Sequence, residues 1–258
     1  MWSGCTQMSG PLEGKRALVT GAARGIGAAI ARRLAAAGCD VAIFYYSSHA
    51  AADALCAELH AAGQRALALQ VNVADPDSVA GAAERVVAAF GRIDIAVSNA
   101  ASGVLRPARE LTLKHWRWCL ETNALALNLL ATALAPHMPR GGRLIALSSL
   151  GAARALPDYA FVGASKAALE ALVRSLALEL GGRGITVNTV RAGIVDTEAL
   201  RVFPQRDALL AGFAARAPLG PTLSPADVAG AVYLLCLPEA ALITGQTLVV
   251  DGGYSIAG

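Results

Sequence analysis

No stretch of the chain approaches the ~18 consecutive apolar residues of a membrane span. The greasiest segment, LALNLLATALAP, is interrupted by Asn128 and Thr132, so no membrane partner is expected. Charge is also scarce, at 16% of residues and a net +3, and no run of Lys or Arg occurs. A nucleic-acid partner is therefore not expected. There is no CxxC, and the five cysteines (Cys5, Cys39, Cys56, Cys119, Cys236) are scattered and odd in number. Free thiols in a reducing cytoplasm explain them better than disulfides or metal ligands. His49, His60, His115 and His137 lack ligand spacing, so no metal is expected. The first residues, MWSGCTQMSG, lack a basic region followed by an apolar run, so no secretory signal is read there. Residues 1–11 read as a loose leader, with Met8 as a candidate start. Linkers, repeats and low-complexity segments are missing too, which leaves one domain over 1–258.

What the chain does have is apolar sequence, 55% of residues, enough for a large core. Short, nearly continuous apolar runs at 16–20, 41–46, 66–71, 93–97, 143–148, 185–190 and 247–250 read as parallel strands covered on both faces. Ala/Leu-rich stretches at 25–37, 51–62, 77–89, 114–135, 160–180 and 225–236 read as helices between them. Asp75-Pro76 and Ser224-Pro225 look like helix starts, a capping side chain followed by Pro at the first helical position. This alternation predicts right-handed crossovers and a Rossmann-type doubly wound parallel sheet of about seven strands, with helices on both faces. Residues 195–222 fit neither pattern; after the sixth strand they stand where a substrate lid, or a plain pair of surface helices, would lie.

ALVTGAARGIGAAIARRLAAAG places Gly21, Gly25 and Gly27, with Arg24 and Ile26 among them, between the first strand and first helix. Glycine lets the chain turn tightly and lets a phosphate approach the backbone, facing the free N–H groups of the helix N-terminus. The spacing, Gly-x-x-x-Gly-x-Gly, resembles that of the short-chain dehydrogenase/reductase family. SNAA at 98–101, which contains Asn99, and DGGYS after the last strand agree with it, and the resemblance covers residues 12–256. FYYSSHA follows the second strand, where a carboxylate would hold the ribose of NAD. It carries no acid; Ser47 and Ser48 can donate to a 2′-phosphate and Arg24 can supply charge, so NADPH is favoured over NADH. Arg24 is otherwise a solvated loop arginine. The resemblance assigns Asn72, with its neighbour Val73, to the adenine, and Asn99, Gly193 and Thr197 to the cofactor; Thr197 is alternatively a helix cap.

Most of that family carries Tyr-x-x-x-Lys. Here the residue four before Lys166 is Val162, which has no proton to give, and the tyrosine stands at Tyr159. On a helix these positions still share a face, displaced by one turn of about 5 Å. A donor set back in this way suits enoyl thioester reduction, where hydride adds to Cβ and negative charge appears on the thioester oxygen. Lys166 would hold the nicotinamide ribose and ease ionisation of the phenol. The spacing, with the blocks NAASGVLRPARELTLKHWRW and SSLGAARALPDYAFVGASKAALEAL, resembles the bacterial class III enoyl-acyl-carrier-protein reductases. That resemblance implies reduction of trans-2-enoyl thioesters on acyl carrier protein or coenzyme A, in fatty-acid or polyketide biosynthesis, by a homotetramer with Tyr159 and Lys166 as catalytic pair.

Ser149, thirteen residues before Val162, matches the family's carbonyl-orienting serine, or is a strand-end hydroxyl satisfied by backbone. Asn123 matches the family asparagine of a water-linked proton path, or is a buried amide holding a helix distortion. Trp116 and Trp118 read as packing or interface residues. Ala192 replaces the proline that usually precedes Gly193. Two other functions share these features: a carbonyl reductase in which Tyr159 turns inward to a ketone, and a non-catalytic NADP-binding protein.

Overall fold

The computed structural model describes residues 10–201, 206–220 and 222–257. Residues 1–9 of the candidate leader, five residues of the candidate lid (202–205 and 221) and position 258 lie outside them. Seven strands form one parallel sheet in the order β3-β2-β1-β4-β5-β6-β7. They are β1 (Arg16–Thr20), β2 (Asp40–Tyr45), β3 (Ala66–Gln70), β4 (Ile95–Ser98), β5 (Arg143–Ser149), β6 (Thr186–Ala192) and β7 (Thr247–Val250). Every one falls on a run read as a strand from the sequence.

Alternate residues along β1 to β6 feed two separate cores, while Leu248 and Val249 of β7 are exposed. Val19, Ile43, Val97 and Val190 pack beneath α1 (Gly25–Ala36), α2 (His49–Ala61) and α9 (Pro225–Cys236) through Ile30, Leu34, Leu55 and Val232. Leu18, Phe44, Leu144 and Val187 pack on the opposite face against α3 (Pro76–Phe90), α5 (Ala126–Leu134) and α6 (Ala160–Gly181). Both proposed helix starts are present. Asp75 accepts hydrogen bonds from the N–H groups of Asp77 and Ser78, and Ser224 forms a reciprocal capping box with Asp227.

The expected continuous helix over 114–135 is broken. α4 (Leu113–Leu120) and α5 are joined by a π-turn, Glu121–Leu125, centred on Asn123. The atypical segment after β6 contains α7 (Glu198–Arg201) and α8 (Arg206–Arg216). α8 is seated by Phe213, which is buried and stacks on Tyr254 with ring centroids 4.7 Å apart.

The chain leaves β1 for β2 on one side of the sheet and returns to β4 on the other. β1 and β4 are adjacent, so a crevice opens at their carboxyl ends, where the strand order reverses.

Candidate active site

The glycine loop lines that crevice. Gly21 has φ +64, a left-handed conformation, and a Cβ there would lie 2.8 Å from the Cα of Ala100. A Cβ on Gly27 would collide with the carbonyl oxygen of Gly21, so these two glycines close the strand–helix turn. At Gly25 the nearest neighbour a Cβ would meet is Thr197 Cγ2 at 3.9 Å, which leaves backbone open to the cleft. Arg24, the exposed N-cap of α1, makes no side-chain cap, so no side chain competes for the helix's first N–H groups. Thr20 Oγ1 accepts from the N–H groups of Asn99 and Ala100, both at 3.0 Å, while Asn99 Nδ2 donates to the carbonyls of Thr20 (2.8 Å) and Gly21 (3.1 Å). Asn99 thus clamps β4 to the glycine loop rather than presenting a free amide.

The cleft has a volume of about 620 Å³. Gly21, Arg24, Gly25, Ile26, Gly27, Ser47, Ser48, Asn72, Val73, Asn99 and Thr197, the residues read as cofactor-binding, all line it. Open backbone at a helix N-terminus, an adjacent arginine and two serines fit a phosphorylated dinucleotide. Lys166 and Gly193 are placed elsewhere. Gly193 lies against the ring of Phe213 and donates its N–H to Val250. Tyr46, Trp118, Glu121, Thr122 and Glu198 also line the cleft. The two tryptophans divide: Trp116 packs edge-to-face on Phe161, but Trp118 faces the cofactor cleft and is not only a packing residue.

Tyr159 is the N-cap of α6. The preceding Asp158 has φ +57, uncommon for a residue with a side chain, and its carbonyl accepts from the N–H of Arg106. This turn sends the phenol inward: its hydroxyl donates to Ser149 Oγ at 3.1 Å. Gly151 makes room for the ring, since a Cβ there would overlap it. Val162, at the family's usual tyrosine position, is buried and fills the space above Gly103. Burial pushes the Tyr159 phenol above its usual pKa, against the Ser149 hydrogen bond, with the nearby Cys119 thiol a smaller upward push. Lys166 is not among the groups that act on it. A phenol so placed stays protonated near neutrality and can donate.

Lys166 is buried and donates from Nζ to the carbonyl of Leu147 at 2.7 Å. Burial lowers its pKa to about 8, with Glu170 pulling the other way. Asn123 is spent inside the protein: its Oδ1 accepts from Ser102 N, and its Nδ2 donates to Ser102 O and Ser165 Oγ, each at 2.8 Å. The side chain therefore fastens the loop after β4 to α6 at the π-turn.

Sequence reasoning missed Glu170 and Arg191. Glu170, four residues after Lys166 and so on the same helix face, accepts from Ser148 Oγ at 2.7 Å and is ion-paired with Arg191. The helical spacing from Lys166 was the available signal. Cys39, Cys56, Cys119 and Cys236 are free and buried, and among the described residues no group of three or more His, Cys, Asp and Glu is placed to hold a metal. No helix among them is long and apolar enough to cross a membrane.

Residues 21–255 match the family model described as Enoyl-(Acyl carrier protein) reductase. The 3-oxoacyl-(acyl-carrier-protein) reductase of Escherichia coli is 40% identical over 93% of this chain and 97% of its own length. The 1-cyclohexenylcarbonyl-CoA reductase of Streptomyces collinus is 36% identical over 93% of this chain and 86% of its length. Among solved structures, a short chain dehydrogenase from Burkholderia cenocepacia in complex with NADP superposes with a TM-score of 0.87 at 41% identity, covering 95% of this chain and 99% of that one.

Proposed function

The chain belongs to the short-chain dehydrogenase/reductase family, and on that premise we propose that it reduces the carbon–carbon double bond of trans-2-enoyl thioesters with NADPH. It is an oxidoreductase, and its cofactor is NADPH. The observation that carries the enoyl reading is the exchange of places between Val162 and Tyr159. An apolar side chain fills the site one turn before Lys166, and the phenol enters from the helix N-cap.

The bound dinucleotide supplies the hydride. Gly21, Arg24, Gly25, Ile26 and Gly27 would cradle its phosphates, with Ser47, Ser48 and Arg24 around the 2′-phosphate and Asn72 and Val73 beside the adenine. Asn99, Thr197, Gly193 and Lys166 are assigned to its nicotinamide half. Tyr159, still protonated, would turn its one hydroxyl hydrogen from Ser149 to the thioester oxygen, accepting from the Ser149 hydroxyl instead, and so stabilise the enolate left by hydride addition at Cβ, which a solvent proton then quenches at Cα. Asn123 supports the site by holding the Ser102 loop. We assign the lid to 195–222; with α8 anchored by Phe213, closure would involve the stretch around Thr197 and Glu198, which borders the cleft.

The carrier would dock on the segment joining Ser102 to Trp118, which exposes Arg106, Arg109, Lys114 and Arg117 and offers cations to acyl carrier protein or to the phosphates of coenzyme A. The apolar groove of Leu120, Leu125, Ala168 and Leu172 is assigned to pairing between subunits of a homotetramer. Four buried free thiols suit a reducing cytoplasm.

Carbonyl reduction is the second reading, favoured by the Tyr159–Ser149 contact, because two hydroxyls 3.1 Å apart can both serve one ketone oxygen. Crotonyl and acetoacetyl thioesters, assayed side by side for NADPH oxidation, separate the two. Enoyl reduction predicts turnover of crotonyl thioester that falls about 100-fold or more in Tyr159→Phe, with NADPH affinity unchanged. Turnover of acetoacetyl thioester alone refutes it.

A further inference from the structure

Glu170 is a buried carboxylate with a role the hydride-transfer scheme leaves unused. Both its oxygens are engaged. Oε1 accepts from Ser148 Oγ at 2.7 Å and from Arg191 Nε at 2.9 Å, while Oε2 pairs with Arg191 Nη2. Strand register fixes the cluster, because Ser148 on β5 and Arg191 on β6 are direct partners across the sheet. Lys166 stands one turn before Glu170 on α6, and its anchor, Leu147, is the neighbour of Ser148. One buried carboxylate is therefore ion-paired to Arg191 and lies one helical turn from the buried Lys166, near the carboxyl edge of the sheet. Of the neighbouring titratable groups, Asp251 after β7 acts on Arg191, while Cys119 on α4 acts on Tyr159 at the start of α6.

We propose that Glu170 and Arg191 are positioning residues that together fix the charge on Lys166, Glu170 holding it cationic and Arg191 limiting that pull by sharing the same carboxylate. The inference rests on Lys166 as the working cation of the site. In water a lysine needs no counter-ion to stay charged at neutral pH, but a desolvated one does. Burial brings Lys166 down to about 8, with Glu170 the opposing influence, so its charge stands close to the working range. Arg191, ion-paired to that carboxylate, competes for its negative charge. The two substitutions must act with opposite signs. Glu170→Gln removes the attraction, so Lys166 loses its proton at lower pH. Arg191→Met removes the competing cation and frees Glu170, so Lys166 keeps its proton to higher pH.

The test is direct titration of the Lys166 side chain by NMR in the full-length protein labelled with 13C at lysine Cε, its resonance assigned by its loss in Lys166→Met. The expected midpoint moves down by about one pH unit in Glu170→Gln and up by a similar amount in Arg191→Met. The high-pH limb of the kcat/KM profile for NADPH oxidation moves with it. Glu170→Asp keeps the charge and is expected to restore part of the shift. If Glu170→Gln fails to fold, the upward shift in Arg191→Met tests the proposal alone. Shifts of the same sign in both variants, or no shift in Arg191→Met, overturn it. Opposite titration shifts without enoyl turnover leave the charge relay standing and remove the enoyl assignment instead.

Discussion

Lys166 is held in the fold at a loss of stability, and replacing it with methionine makes that loss measurable. Burial moves its pKa from 10.5 to about 8. Such a depression corresponds to roughly 3 kcal/mol by which the folded state disfavours the ammonium at neutral pH. The sign follows from proton linkage. Between pH 8 and 10.5 the unfolded lysine still binds a proton that the folded one has released, so stability rises with pH across this window and the penalty is fully present below it. Methionine has similar length and no charge, so the penalty disappears. Against that gain stands the charge-assisted hydrogen bond to the Leu147 carbonyl, whose loss costs about 2 kcal/mol. Lys166→Met is therefore expected to stabilise the protein by about 1 kcal/mol at pH 7, or roughly 2–4 °C in Tm for a chain of this size, while abolishing turnover. The assay is thermal unfolding of both proteins between pH 6 and 10 without cofactor. Cys39, pushed up to about 12 by burial, has the opposite linkage: its unfolded thiol ionises first, so its contribution is lost as pH rises. Both proteins carry that effect and the difference between their melts cancels it. The gap should be widest near pH 7 and close toward pH 10. A variant that melts at or below the parent at pH 7, or a gap that does not change with pH, refutes the reasoning.

Arg24→Ala should weaken NADPH about tenfold, by loss of a charge-assisted contact, and leave NADH binding unchanged; fluorescence titration with both dinucleotides checks it. Equal weakening of both would place Arg24 at a phosphate the two cofactors share. Asp158, at φ +57, predicts that Asp158→Gly melts at or above the parent and Asp158→Val about 1–2 kcal/mol below it, because a β-branched residue tolerates the left-handed region poorly. Turnover should fall in Asp158→Val, since the same turn delivers the Tyr159 hydroxyl to Ser149.

Features written in local sequence were legible. All seven strands, the glycine turn and both proline-led helix starts come from apolar runs, φ requirements and side-chain caps, which neighbouring residues dictate. The break at Asn123 was not, because its cause is tertiary. The hydrogen bonds to Ser102 and Ser165 that accompany the π-turn come from residues 21 and 42 positions away, while LETNALAL alone reads as unbroken helix. The same holds for Trp118, whose exposure to the cleft depends on where α4 lies against the loop after β4.

The charges show a finer division. Spacing alone places Lys166 and Glu170 on one face of α6, yet nothing local says that Arg191, on a strand, would join them. That follows from register: β5 and β6 align Ser148 with Arg191, and α6 crosses above them. A register slip by one residue would turn Arg191 to the opposite face and leave Glu170 buried without its cation. An unpaired buried carboxylate is among the costlier faults a core can carry. The ion pair therefore adds to the penalty that the buried residues of RLIALSS and TVNTVRA already place on mispairing. The carboxylate that pairs with the arginine of β6 thus also lies one helical turn from Lys166.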